Sequence, residues 1–296
     1  MPFGLLTGLG AALSWGTMDI ASALSSRHIG SLRVTAGVQL ICTGFLLLAA
    51  LVAGTTIQTD PAKLGLATVL GLIGAGAYYA YFTGLRIGPI SVVSGMVAAY
   101  GGLTVVLSVV FRGESLTVVQ AAGATIATIG VILTGVAFGG GLRATHFAGP
   151  GVVFAVVALV LFALMAITMD LALESAGWLE VLLVSRLVIV AVSILAIVWL
   201  AVTGRRARGE ATGTEPIPIR RVGAMLIVAG ALDATGLISF AIGLETAPTW
   251  MVGLASSFGP AVTILVAVAF LGERLKGIQW LGLVGVGIGM VAIGLP

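Results

Sequence analysis

Apolar residues run for about 20 positions at a time along this chain, divided by short polar breaks. Ten such runs span roughly 3–25, 33–54, 64–86, 89–111, 115–138, 149–173, 179–203, 222–244, 249–271 and 274–295. Each is long enough to cross a hydrocarbon layer as a helix. Backbone groups in lipid must bond within their own segment, which favours helices here. Membrane strands would be about half as long and would alternate in polarity, and these runs do not. The connections are short, except "GRRARGEATGTEPIPIRR" at 204–221. The pattern predicts an all-α integral membrane protein of ten transmembrane helices.

Composition sharpens this picture. Of the 296 residues 59% are hydrophobic and only 8% charged, with a mean hydropathy of +1.20. A soluble globule carries about a quarter charged residues. The net charge of +3 is small, and the arginines gather at span ends. That placement speaks to membrane orientation and not to nucleic acid. The lone Cys42 excludes an internal disulfide or a thiolate cluster. "ASA" at 21–23 resembles a signal-peptidase site, but no basic segment precedes it, so 3–25 is read as a retained helix.

The chain repeats itself. Under a shift of 159 residues "GLRIGP" (84–89) falls on "GLETAP" (243–248), and "FRGESLTVVQ" (111–120) on "FLGERLKGIQ" (270–279). Between 84 and 130, 14 of 47 positions are identical, Pro89, Glu114 and Gln120 among them. A shift of 151 lays "TMDI" (17–20) on "TMDL" (168–171), and a shift of 153 lays Arg33 on Arg186. The expected organisation is two five-helix repeats, 1–145 and 146–296. Five is odd, so the second is inverted relative to the first. Inverted repeats mark secondary transporters, with the substrate site near mid-membrane between the halves.

These motifs carry a family resemblance. "SWG" (14–16), "YFTGLRIGP" with "FAIGLETAP", and "FRGESL" with "FLGERL" resemble the drug/metabolite transporter superfamily, specifically its EamA-type members. That family often has a proline midway along helices four and nine. Here Pro260 is present, whereas its counterpart is Gly101, so a kink in helix four would come from Gly101 and Gly102. The resemblance implies proton- or exchange-linked or facilitated movement of small metabolites, often amino acids leaving the cell.

Eight of the eleven acids lie at span ends, where solvated charge is the ordinary reading. Asp19, Asp170 and Asp233 lie inside spans, which makes them functional candidates. Asp233 is central and its 159-shift counterpart is Gly74. It could meet a substrate amine or a proton in the cavity, or it could be a hydrogen-bonded interior aspartate that holds helices together. Asp19 and Asp170 lie six and three residues from their span ends, about 9 and about 4–5 Å inward. The expected pairs are Asp19–Arg33 and Asp170–Arg186, one near each face, serving charge neutralisation or gating.

Trp178, Trp199, Trp250 and Trp280 sit at span ends as interfacial anchors would. Trp15, Tyr78, Tyr79, Tyr81 and Tyr100 are interior, and with Ser94, Ser256 and Ser257 they are candidate cavity residues. The expected substrate-binding set is Trp15, Tyr78, Tyr79, Tyr100, Asp233 and Ser257. Helical spacing puts Tyr78 and Tyr81 on one face and Tyr79 about 100° away. A GxxxG in "GVGIG" (285–289) would let helix ten pack on helix five or on a second copy, leaving monomer and homodimer both open.

No catalytic motif, metal-ligand spacing or nucleotide loop is present in the sequence, so the expectation is neither an enzyme nor a cofactor binder. The expected partners are a small-molecule substrate and the lipid bilayer. The rival readings are a carrier exporting multiple drugs or cationic compounds, a passive small-solute channel, and an intramembrane structural or accessory subunit. The basic residues lie mostly in loops opposite the termini, which places both termini outside an inner membrane.

Overall fold

The computed structural model describes residues 3–54, 64–88, 90–138, 149–204, 218–259, 261–262 and 277–295. They form eleven helices: α1 (Phe3–Ile29), α2 (Ser31–Ala53), α3 (Gly65–Ile87), α4 (Ile90–Val97), α5 (Tyr100–Arg112), α6 (Val118–Phe138), α7 (Pro150–Leu173), α8 (Trp178–Val202), α9 (Ile219–Thr246), α10 (Thr249–Ser256) and α11 (Gly277–Ile293). Six segments among the described residues are long and apolar enough to cross a membrane, the two-part Val92–Arg112 among them.

Helix α1 runs four residues beyond the predicted span because one residue, Gly30 at φ 87°, separates it from α2. A side chain there would be strained, and glycine is not. As a result Asp19 lies ten residues from the end of α1, deeper than expected.

The predicted fourth span is two helices. It breaks at Ala98–Ala99, just ahead of the Gly101–Gly102 pair expected to kink it. The ninth span breaks at the equivalent position, Ser257–Phe258, after α10. Pro260 lies outside the described residues, as does the expected repeat boundary at 145/146.

The two repeats interleave. Helix α1 packs along α9, and its counterpart α7 packs along α3. Helix α2 meets α8, and α6 meets α11. The last pair settles where the GxxxG points. A Cβ on Gly289 would come within 2.6 Å of the Ala127 Cβ, and one on Gly130 within 2.7 Å of the Gly282 carbonyl oxygen. The backbones therefore touch, as small residues permit in membranes.

Candidate functional site

A cavity opens where the two broken spans cross. A Cβ on Gly101 would lie 2.2 Å from the Ser257 Oγ, so only glycine lets the two breaks approach this closely. Irregular backbone at membrane depth is tolerated where it lines a cavity. Ala98, Tyr100, Ser256, Ser257 and Gly259, from the two breaks, do line one. The Tyr100 hydroxyl bonds to the Ser256 Oγ at 2.7 Å.

The rest of the wall comes from equivalent positions in the two repeats. Trp15 and Met18 of α1 answer Ala166 and Met169 of α7, while Asp19 and Met165 line the wall without their counterparts. Tyr78 and Tyr81 of α3 answer Leu237 and Phe240 of α9. Phe162 stands edge-on to Tyr78 and Tyr81, with ring centroids 5.5 and 5.7 Å away. Trp15 meets Phe240 at 5.7 Å. Each aromatic therefore supports another.

Asp19 is the one charged side chain on this wall among the described residues. Its Oδ2 accepts from the Tyr81 hydroxyl at 2.6 Å and from the Ser94 hydroxyl at 3.3 Å. The expected Asp19–Arg33 pair is not formed. Arg33 stands on an exposed face of α2, while Asp19 is buried against α3 and α4. Extra length in α1 carried the carboxylate away from the start of α2.

The Asp170–Arg186 pair is likewise corrected. Asp170 is bound by Arg112, whose Nε donates to its Oδ2 at 2.6 Å while the Nη2 bonds Glu174. Helix α7 ends only three residues past Asp170, beside the end of α5, so the terminal arginine of α5 reaches it first. Next to this cluster Glu114 accepts the backbone N–H groups of Thr249 and Trp250 at 2.8 and 3.1 Å. It is a cap for α10, and not the solvated span-end charge expected.

Arg186 is instead buried with Asp233 behind the cavity wall, both fully excluded from solvent. Asp233 Oδ1 accepts from Trp15 Nε1 at 3.1 Å and from the Tyr78 hydroxyl at 2.9 Å. Its Oδ2 accepts from Gln39 Nε2 at 2.8 Å and lies 3.9 Å from Arg186 Nη1. Arg186 Nη1 donates to Gln39 Oε1 and to the Tyr78 hydroxyl. Of the two readings of Asp233, the geometry takes the hydrogen-bonded interior aspartate. It does not line the cavity.

Two aromatic expectations also change. Tyr79 is 38% exposed on the outer face of α3, so it leaves the binding set. Trp250 is 2% exposed and packed in the core, so it is no interfacial anchor. Sequence reasoning missed Phe162, Phe240, Gln39 and the roles of Arg112 and Glu114. Applying the 159 shift to Tyr78 and Tyr81 yields Leu237 and Phe240, so that half of the wall could have been found. No cluster of three His, Cys, Asp or Glu suited to a metal occurs among the described residues.

Comparison with known proteins fits this architecture. The model of the EamA-like transporter family matches residues 2–136 and 149–295, one match in each repeat. The chain belongs to the EamA-like transporter family. The transporter is therefore a multi-pass membrane protein that moves small solutes. A protein solved by crystallography has the same fold. It is 20% identical, covers 98% of this chain and 96% of its own, and has a TM-score of 0.75. No curated protein matches.

Proposed function

We propose that the transporter carries small amphipathic solutes with an amino group, amino acids foremost, out of the cell across the inner membrane by alternating access. One observation carries this reading: a single carboxylate, Asp19, in a described wall otherwise of uncharged residues, aromatic rings, methionines and hydroxyls among them. A carboxylate binds an ammonium group by a charge-assisted hydrogen bond. Aromatic faces attract the same cation and cover an apolar side chain. The Tyr100, Ser256 and Ser257 hydroxyls already donate to Ser256 and to the Gly253 and Leu254 carbonyls, so their oxygens face the far end of the solute as acceptors. A highly phosphorylated solute would want several basic groups, and the described wall has none.

The interleaved repeats, with a break in each of two crossing spans, support alternating access. The charge count still favours termini outside the cell, and a topology reporter fused after Pro296 tests it.

A second reading has an observation of its own. No basic side chain on the described wall awaits a solute carboxylate, which suits a purely cationic compound. Counterflow in proteoliposomes decides, using amino acids, purines and cationic drugs with and without a pH gradient. Exchange of amino acids supports the first reading, and exchange of cations alone supports the second. Flux without saturation or trans-stimulation overturns both in favour of a channel.

A further inference from the structure

Trp15 and Tyr78 face the cavity with their rings, but their polar atoms point away from it, to one oxygen of Asp233. That oxygen belongs to a cluster drawn from five helices: Trp15 of α1, Gln39 of α2, Tyr78 of α3, Arg186 of α8 and Asp233 of α9. The Arg186 guanidinium also stands 5.5 Å from the centre of the Tyr78 ring. Behind the indole a Cβ on Gly236 would come within 2.7 Å of Trp15 Nε1, so the ring lies against bare backbone. The cluster has no twin. Under the repeat shifts, Asp233 corresponds to Gly74, Tyr78 to Leu237 and Trp15 to Ala166.

We infer that Asp233 and Arg186 are positioning residues that set the selectivity of the cavity by fixing Trp15 and Tyr78 from behind its wall. This rests on the cavity being the substrate site, as proposed above. A carboxylate with two directed donors on one oxygen holds both rings at one angle. The guanidinium neutralises that carboxylate, and Gln39 fastens the two together. Solutes therefore meet a wall whose shape is decided by residues they never touch.

The test uses the full-length protein in detergent and in proteoliposomes, with Asp233→Asn/Arg186→Gln and, separately, Arg186→Lys. The second keeps the charge and removes the Nη1 that donates to both Gln39 and Tyr78. Trp15 emission is read as the difference between each protein and the same protein carrying Trp15→Phe. Transport is read as the ratio of KM for phenylalanine to KM for tetraethylammonium. The expected result is shifted Trp15 emission in the double variant and a KM ratio altered about 3- to 30-fold, with a smaller change in Arg186→Lys. Folded variants with wild-type emission and ratio overturn the inference. So does loss of folding in both variants, because the pair then only holds helices together. If neither probe is carried by the wild type, the substrate reading fails, while Trp15 emission still tests the positioning.

Discussion

Asp19 and Asp170 are the same residue of the repeat, each ending a Thr-Met-Asp, yet they have opposite surroundings. Asp19 lies ten residues inside α1, on the cavity wall, held by two hydroxyls. Asp170 lies three residues from the end of α7, off the wall, bridged by Arg112 beside Glu174. Under the 159 shift Arg112 corresponds to Leu271, a position outside the described residues. A carboxylate already held by a guanidinium has little left for a solute, whereas one positioned by neutral hydroxyls on one oxygen keeps its charge and its other oxygen for an ammonium group. Duplication supplied two equivalent acids, and one arginine made them unequal. On the proposed reading Asp19 is the binding contact, and the Asp170 corner with the Glu114 cap on α10 lies off the wall.

The largest expected effect separates the two acids directly. Asp19→Asn should weaken binding of an amine probe about 10- to 100-fold, the worth of one charge-assisted bond. Asp170→Asn should leave it within about threefold, its partners being off the wall. Counterflow with phenylalanine measures both, and equal losses would end the distinction.

Next is the bridge. Arg112→Met should lower stability by about 2 kcal/mol, between the values for exposed and buried pairs, because the Asp170 carboxylate loses its cation. Adding Asp170→Leu should recover part of this. Melting temperatures in detergent are the readout, and a double variant no better than the single would mean that Asp170 was not the partner that mattered. Glu114→Gln should cost about 1 kcal/mol, as loss of a helix cap does. Amide exchange at Thr249 and Trp250 should quicken, and unchanged protection there would count against the cap. Smallest are the hydroxyls around Asp19. Tyr81→Phe should weaken amine binding by about 2- to 10-fold, and Ser94→Ala, with its longer bond, by about twofold at most. A larger loss for Ser94→Ala would reverse the order of the two donors.

Much of the scaffold was legible in the sequence. Hydropathy located the spans, and the 159 shift exposed the repeat without the structure, because lipid imposes one length and one polarity on every crossing segment. The face of α3 was legible too: the 3.6-residue period separated Tyr78 and Tyr81 from Tyr79, although Tyr79 was kept as a candidate. The ion pairs were not. They were inferred from the distance of each aspartate to a span end, and the extension of α1 to Ile29 changed that distance by several residues. Arg112 and Glu114 looked like ordinary terminal charges because their partners, Asp170 and the start of α10, are far along the chain.

The sequence by itself determined the membrane setting, the ten spans, the two repeats and the three buried acids. Each follows from local composition or from comparison of the chain with itself. Only the tertiary structure decided which acid faces the cavity, which takes a cation, and which stands behind the wall holding Trp15 and Tyr78. A buried carboxylate must find donors somewhere. In a helical membrane protein those donors come from other helices, whose rotation and depth no single segment records.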